Sequence, residues 1–303
     1  MKIILIFIMI LQLNAELIEY DIKPSNLKSS KYMNIEILDS KELKFDDMDD
    51  LEVTELSDIA YHDGWLYAVS DNGYLYRFNI EMKNSKISKL SLKKAFKLKS
   101  KKGKKLKKKS RDSEGLVYED GRLFISFERK HRVDEYSLDG KKIKSYKIHK
   151  DLQNRDNYKS ENKGLEALCY SKKYGVITAP EKPLNNKDEK YHTLYAKNKT
   201  WKFKVSGSIT ALEFMDEDSV MVLEREYDFL RRMRVATLTK LSLVDSKNSI
   251  SKTKVLAKLD TDDGWNIDNF EGLTKVDKGR YLMVSDDNGM FYQKTLLVLF
   301  KVE

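Results

Sequence analysis

Cysteine, proline and long apolar runs are all scarce in this chain of 303 residues. The single cysteine, Cys169, excludes an intrachain disulfide, so an exported fold would have to rely on its core and on any bound metal. It lies in the apolar run 167–170 with no histidine or second cysteine beside it, which indicates a buried and inert thiol. With three prolines and no Gly/Ser-rich linker, the sequence favours one large domain over two small ones.

The most apolar segment of the chain is at its N-terminus. Lys2 precedes nine consecutive apolar residues, 3–11, and a small residue, Ala15, follows them. A cation, a short apolar core and a small residue at the cut site are typical of a secretory signal peptide, and nine residues are too few to span a bilayer. We therefore predict a signal peptide over residues 1–15, a single domain over 16–303, a periplasmic or secreted location and no transmembrane segment.

Positive charge is concentrated in one stretch. The formal net charge is +9, but eleven lysines and no acid lie between Lys93 and Lys109, and the rest of the chain is slightly acidic. Phe96 is the only aromatic residue in this stretch, so specific nucleic-acid binding is not expected. We interpret residues 93–109 as a lysine-rich surface insertion between two strands. Attraction to an anionic surface, such as lipid head groups or a phosphorylated ligand, is the functional alternative.

A repeated pattern organises the chain from Leu56 onward. Five segments share one design, which is an acid, an apolar strand, a turn, a second apolar strand and another acid. Successive first acids are 56, 52, 47 and 58 residues apart, and turn residues such as Asp63-Gly64 and Asp120-Gly121 fall midway between the two acids of a segment. A period of about 50 residues is that of a four-stranded propeller blade with its connections.

These repeats predict an all-β protein with a β-propeller fold, and we expect it to be a monomer. A two-sheet β-sandwich, the main alternative, would show strands every 8 to 12 residues without the longer period. Residues 32–45 and 295–302 belong to none of the five segments. Propellers often close by pairing an N-terminal strand with C-terminal ones, and these two segments could form or complete a sixth blade, so we favour six blades, with five not excluded. Because a hairpin returns to the end at which it began, both acids of each segment are expected at one mouth of the central channel.

Carboxylates that converge on one opening repel one another, so each must be paired, protonated, hydrated or bound to a cation. Calcium is the cation that best suits a set of ligands rich in oxygen and free of histidine. The same acids could instead bond to the backbone of the next blade, and both interpretations stay open. The candidate metal ligands are Asp58, Glu114, Glu166, Glu213, Glu271 and Asp286.

Basic residues accompany these acids. Arg129, Lys182 and Arg225 are candidates to hold an anionic substrate beside the metal, or to neutralise the acids internally. His131 is a candidate acid or base, with an exposed turn histidine as the alternative. Residues 260–271 have the length and the final glutamate of an EF-hand loop, but the glycine is one place early and helical flanks are absent, which indicates an accidental acidic loop.

Several motifs, in order, resemble the phytase-like family described as "esterase-like activity of phytase". They are RDSEGL at 111–116, GLEAL at 164–168, APEKPL at 179–184 and DNFEGL at 268–273. The resemblance runs from about Leu56 to the C-terminus. It implies an exported bacterial propeller and a calcium-assisted hydrolase of phosphoesters or related esters. A propeller that binds a ligand or a protein partner at the same mouth, without catalysis, is the alternative.

Overall fold

A computed structural model of the chain describes residues 13–45, 52–204, 206–230, 233–244 and 250–303. Most of the predicted signal peptide lies outside these residues and stays a prediction. The N-terminal strands are β1 (Leu13–Asn14), β2 (Glu16–Glu19), β3 (Lys31–Tyr32) and β4 (Ile35–Lys44). Within the described ranges, no helix is long and apolar enough to cross a membrane.

Five antiparallel sheets follow in chain order, and each is one blade of a propeller. Blade 1 consists of β5 (Leu56–His62), β6 (Trp65–Ser70), β7 (Tyr74–Lys83) and β8 (Lys86–Lys97), and β1 pairs with its outer edge. Blade 2 follows a short helix, α1 (Lys108–Arg111), and consists of β9 (Ser113–Glu119), β10 (Arg122–Phe127), β11 (Arg132–Tyr136) and β12 (Lys142–Tyr146). Blade 3 follows two 3-10 turns, Lys150–Leu152 and Arg155–Asn157, and consists of β13 (Leu165–Ser171), β14 (Gly175–Pro180), β15 (Tyr191–Tyr195) and β16 (Thr200–Lys204).

The last two blades complete the ring. Blade 4 consists of β17 (Ser208–Asp216), β18 (Ser219–Asp228), β19 (Met233–Ser242) and β20 (Thr253–Asp260), and a 3-10 turn follows at Thr261–Asp263. Blade 5 consists of β21 (Asn269–Asp277), β22 (Arg280–Asp286), β23 (Leu296–Val302) and the N-terminal β4. The innermost strands β5, β9, β13, β17 and β21 each contact the next, and β21 returns to β5. The described residues therefore form a closed β-propeller.

The propeller has five blades over the described ranges, so the preference for six is wrong and the alternative of five is correct. The two unassigned segments pair with each other, from Leu296 opposite Glu42 to Val302 opposite Ile35. Strand β4 thereby supplies the outer strand of blade 5, and it does not start a further blade. This pairing joins the two ends of the chain, and it covers the edge that β23 would otherwise expose.

Tight turns join the two inner strands of the blades, as the sequence predicts. Asp63 and Gly64 have φ angles of 47° and 78°, and Asp120 and Gly121 have angles of 45° and 74°. Positive φ at both central residues is the type I′ turn that suits a two-residue hairpin, and it explains the Asp-Gly pairs. Each hairpin returns the chain to the same end of the channel.

Every innermost strand carries a β-bulge at the same place, near its start. The extra residue is Glu166 in β13 and Glu271 in β21, and in β9 the bulge contains Glu114. In β5 and β17 the equivalent residues are Ser57 and Thr210. Because a bulge bends the strand and redirects a side chain, this feature brings three glutamates to the mouth of the channel.

Small residues after the bulges allow the innermost strands to approach closely. A Cβ atom on Gly272 would lie 2.9 Å from the Cα of Asp58 in the next blade. A Cβ on Gly115 would lie 2.8 Å from the backbone oxygen of Glu166. Cys169 is buried in the apolar layer between blades 3 and 4, and this burial raises the pKa of its thiol, as expected for an inert residue.

The lysine-rich stretch is only partly an insertion. Strand β8 continues to Lys97, so the predicted boundary at 93 falls inside blade 1. Leu98 is buried, and the backbone of Lys99 exchanges hydrogen bonds with Gly140 and Lys142 in blade 2. The connection between the blades therefore begins after β8, and it is fastened to the neighbouring blade.

Candidate functional site

Five carboxylates converge at the mouth, the end of the channel where the innermost strands begin. They form two overlapping groups, and within each group one oxygen of every residue lies within 4.8 Å of the others. We call the five residues the mouth cluster. Its first group is Asp112, Glu114 and Glu128, and its second is Glu128, Glu166 and Glu181.

The bulges and the hairpin ends of blades 2 and 3 position this cluster. Glu114 and Glu166 occupy bulges in β9 and β13, whereas Glu128 and Glu181 directly follow β10 and β14. Backbone hydrogen bonds close each hairpin. The amide of Glu128 donates to Asp112 O at 3.0 Å, and that of Glu181 donates to Gly164 O at 3.1 Å. Rigid strand ends thus hold the carboxylates in place.

Burial and repulsion from neighbouring acids oppose ionisation of Glu114, Glu128 and Glu166. Burial, followed by the charge of Glu166, holds the pKa of Glu114 well above its usual range, and burial and Glu181 do the same for Glu166. Burial and the neighbouring acids raise the pKa of Glu128 to about 7. Only 7% of Glu166 is exposed, and its Oε2 atom has no hydrogen-bond partner among the described residues. The cluster therefore contains a buried oxygen to which no described protein group donates a hydrogen bond.

Three of the predicted basic residues lie at this mouth. Arg129 Nε is 2.5 Å from Asp112 Oδ2, beside the first group of the cluster. Arg225 donates to Glu271 and to Asn269, and so it neutralises one predicted metal ligand. Lys182 lines an adjacent cavity of about 790 Å³. In addition, Lys163 Nζ lies 2.5 Å from Glu181 Oε2, a contact that the sequence did not indicate.

A second acidic group flanks the cluster. Burial and Glu271 raise the pKa of Asp286 to about 9, and burial followed by repulsion from Glu55, Asp112 and Glu271 raises that of Asp71 to about 7. Asp71 Oδ1 has no hydrogen-bond partner within the described ranges. Glu271 and Asp286, two of the predicted ligands, thus lie at the mouth but outside the two groups of carboxylates that could hold a metal ion among the described residues.

Two other predicted ligands bond to the backbone of neighbouring blades. Asp58 accepts hydrogen bonds from the amides of Leu116 in blade 2 and Leu273 in blade 5, at 2.7 and 3.0 Å. Glu213 accepts from the amides of Phe214 and Lys275, at 2.7 and 2.9 Å. These contacts fit the alternative in which the acids fasten one blade to the next.

His131 is half-buried at the mouth and is not an exposed turn residue. Its ring stacks on Tyr158 with 3.7 Å between centroids, and burial lowers its pKa. The imidazole in this position would therefore accept a proton only at a pH below the ordinary pKa of histidine. The geometry therefore gives His131 a packing contact, and its acid or base role stays a prediction.

Three members of the mouth cluster, Asp112, Glu128 and Glu181, were not among the candidate ligands. Glu128 and Glu181 close the second strands of their hairpins, and the repeat pattern contains an acid at this place. The same hairpin geometry that predicts one mouth could therefore have identified them. Asp112 precedes β9 by one residue and carries no comparable signal.

One comparison with known proteins, the match to a protein family, supports the fold. A family model described as phytase-like, esterase-like activity of phytase, matches residues 51–289. No curated protein matches the chain. Among solved structures, Myxococcus xanthus glutaminyl cyclase is 11% identical, with 82% of this chain and 92% of that chain covered and a TM-score of 0.46. The PQQ-bound aldose sugar dehydrogenase from Streptomyces coelicolor is 10% identical, with 83% and 95% covered and a TM-score of 0.44.

Proposed function

Because the chain belongs to the phytase-like family, described as "esterase-like activity of phytase", we propose that it hydrolyses phosphoesters or related esters at the mouth with the help of calcium. The observation that carries the proposal is the mouth cluster and its unpartnered Glu166 oxygen. Export to the periplasm or the medium, predicted by residues 1–15, is part of the same proposal.

The donor set fits calcium. All five members of the mouth cluster offer carboxylate oxygens, and calcium takes six to eight oxygens with flexible geometry. Zinc would require histidine or cysteine ligands, which the cluster does not contain. A bound calcium ion supplies positive charge that polarises an ester or phosphoryl oxygen.

The residues around the cluster have distinct tasks in this proposal. Arg225, oriented by Glu271 and Asn269, together with Lys182 and Arg129, faces the negative charge of a substrate. Asp71 is the candidate proton acceptor, because burial raises its pKa to about 7 and one of its oxygens is free of hydrogen bonds among the described residues. A base works best when its pKa is near the working pH.

The test is turnover of 4-nitrophenyl phosphate, phytate and 4-nitrophenyl butyrate, with calcium and then with a chelator. We expect chelator-sensitive hydrolysis of at least one of them, and we expect Asp71→Asn to lower kcat by roughly 100-fold. Asp63→Asn, in a turn at the opposite end of the blade 1 hairpin, is the matched control and should keep full activity. Calcium binding without turnover of any ester would favour the non-catalytic binding propeller.

We also propose that the lysine-rich stretch attracts anionic partners. Among the described residues, Lys109 is the only one of its eleven lysines that forms an ion pair, with Glu161 at 3.0 Å. The hydrogen bonds of Lys99 to blade 2 keep the stretch on a fixed surface. Unpaired, fixed cations create a local positive potential that salt screens.

Replacing Lys101, Lys102, Lys104 and Lys105 together by serine should lower the salt concentration at which heparin releases the protein, and should reduce its sedimentation with anionic vesicles. Folding should be nearly unchanged because all four side chains are exposed. The same four positions changed to arginine are the control and should retain binding. Unchanged heparin elution of the serine variant would place the basic surface elsewhere.

A further inference from the structure

Exposed apolar side chains are concentrated in two loops at the mouth. Six of the ten large exposed apolar residues in the described ranges lie within residues 227–230, at the end of β18, and 290–292, between β22 and β23. Phe229 is 79% exposed and Phe291 is fully exposed. Soluble proteins seldom expose contiguous apolar surface of this kind unless it binds something.

The two loops come from adjacent blades and meet at one cavity. We call its apolar wall the rim, which consists of Tyr227, Phe229, Met290 and Tyr292. The rings of Tyr227 and Phe229 lie 6.4 Å apart, and the Arg234 guanidinium lies 5.7 Å from the Tyr227 ring. These contacts hold Tyr227 and Phe229 in place, and both side chains stay largely exposed to solvent.

The rest of the cavity is lined mostly by polar residues, and one of them, Glu181, belongs to the mouth cluster. Lys163 and Arg225 line it, and each is already paired with an acid, Glu181 or Glu271. Lys182 also lines the cavity and forms no ion pair within the described ranges. The basic residues can thus receive an anionic or ester group, and the rim can cover an apolar group of the same molecule.

We infer that the site is selective for amphipathic esters, in which an acyl or aryl group adjoins the phosphoester or carboxylic ester. The inference deepens the proposed function and rests on it for the reaction, but it rests only on the rim for the selectivity. A highly polar phosphoester would leave Phe229 and Tyr292 in water, whereas an apolar chain would remove their faces from water.

The test compares the binding of ethyl phosphate and octyl phosphate to the native chain by titration calorimetry. Each buried methylene strengthens binding roughly fourfold. Octyl phosphate has six more methylenes than ethyl phosphate, so burying about half of them makes its affinity roughly 60-fold higher. The double variant Phe229→Ser/Tyr292→Ser should lose this preference and leave the affinity for ethyl phosphate unchanged. Val244→Ser removes a 56% exposed apolar side chain that does not line the cavity, and should keep the preference.

Equal affinities of the native chain for the two compounds, including no detectable binding of either, would overturn the inference. An unchanged preference in the double variant, with an unchanged melting temperature, would do the same. Rim-dependent sedimentation with phosphatidylcholine vesicles, in the absence of a chain-length preference, would assign the rim to a lipid surface instead. If the preference is present but no ester is hydrolysed, the proposed hydrolase fails and the selectivity of the site stands.

Discussion

At pH 8, saturating calcium is expected to raise the melting temperature of the protein by about 8 °C over the chelator-treated protein, and at pH 5 by much less. An ion present at 1,000 times its dissociation constant stabilises the folded state by about 4 kcal/mol, and each kcal/mol shifts the melting of a domain of this size by about 2 °C. At pH 5 the effect is smaller because protons occupy the carboxylates that the ion needs.

Without calcium, buried carboxylates in and beside the mouth cluster should make the protein less stable as the pH rises. Burial and neighbouring acids raise the folded-state pKa of Asp71 and Glu128 to about 7, and that of Asp286 to about 9, all above their unfolded values near 4. Between these values the folded chain binds more protons than the unfolded chain. The contribution of these groups to the free energy of unfolding is therefore complete below about pH 4, and it is lost as the pH rises through about 7 towards about 9.

Calorimetry at pH 5 and pH 8, with calcium or with a chelator at matched ionic strength, measures both effects. Magnesium is the control cation, because it requires a more rigid octahedral site and releases its water reluctantly. The proposal of a cation at the mouth would be wrong if the chelator-treated protein melted at the same temperature at both pH values and calcium did not change that temperature.

Replacing Glu166 by glutamine should have two opposite effects. At pH 8 in chelator, Glu166→Gln is expected to stabilise the protein by about 1–2 kcal/mol, because it removes a buried carboxylate whose Oε2 has no partner in the described part of the chain. In calcium, the same change should abolish most of the thermal shift and lower turnover by at least 100-fold, because it removes a charged oxygen from the second group of the cluster.

Glu213→Gln is the matched control, since Glu213 is also a glutamate of an innermost strand. Its two oxygens accept backbone hydrogen bonds from Phe214 and Lys275, and an amide nitrogen would face one of these donors. We expect a loss of about 1–2 kcal/mol and an unchanged response to calcium. If calcium changed the melting temperature of the two variants equally, Glu166 could not be distinguished as a calcium ligand from Glu213, which fastens one blade to the next.

The β-propeller and its hairpins could be predicted because they depend on local patterns. Alternating strands, Asp-Gly turns such as Asp120-Gly121 and a period of about 50 residues all act over short distances in the chain. The sequence could indicate that an N-terminal and a C-terminal strand pair, but not that β4 completes the fifth blade instead of contributing to a sixth, because this long-range pairing has no local signal. The burial of Leu98 and the backbone hydrogen bonds between Lys99 and blade 2 also depend on long-range contacts.

The candidate site was predicted in part. The repeat pattern identified Glu114 and Glu166, but it aligned residues by chemical type and so grouped Glu213 with them. The bulge of β17 instead contains Thr210, and Glu213 lies three residues further along the strand, where it contacts the next blade. A one-residue bulge changes which side chain reaches the channel, and this shift has no sequence signature of its own.

Calcium titration of the chelator-treated chain by calorimetry at pH 8 tests the central claim most directly. The native protein should bind at least one calcium ion with release of protons, because burial and neighbouring acids raise the pKa of Glu128 to about 7 and that of Glu114 well above its usual range. Glu166→Gln should lose this binding, and Glu213→Gln should keep it. Absence of calcium binding by the native protein, or equal binding by Glu166→Gln, would contradict a metal site at the mouth.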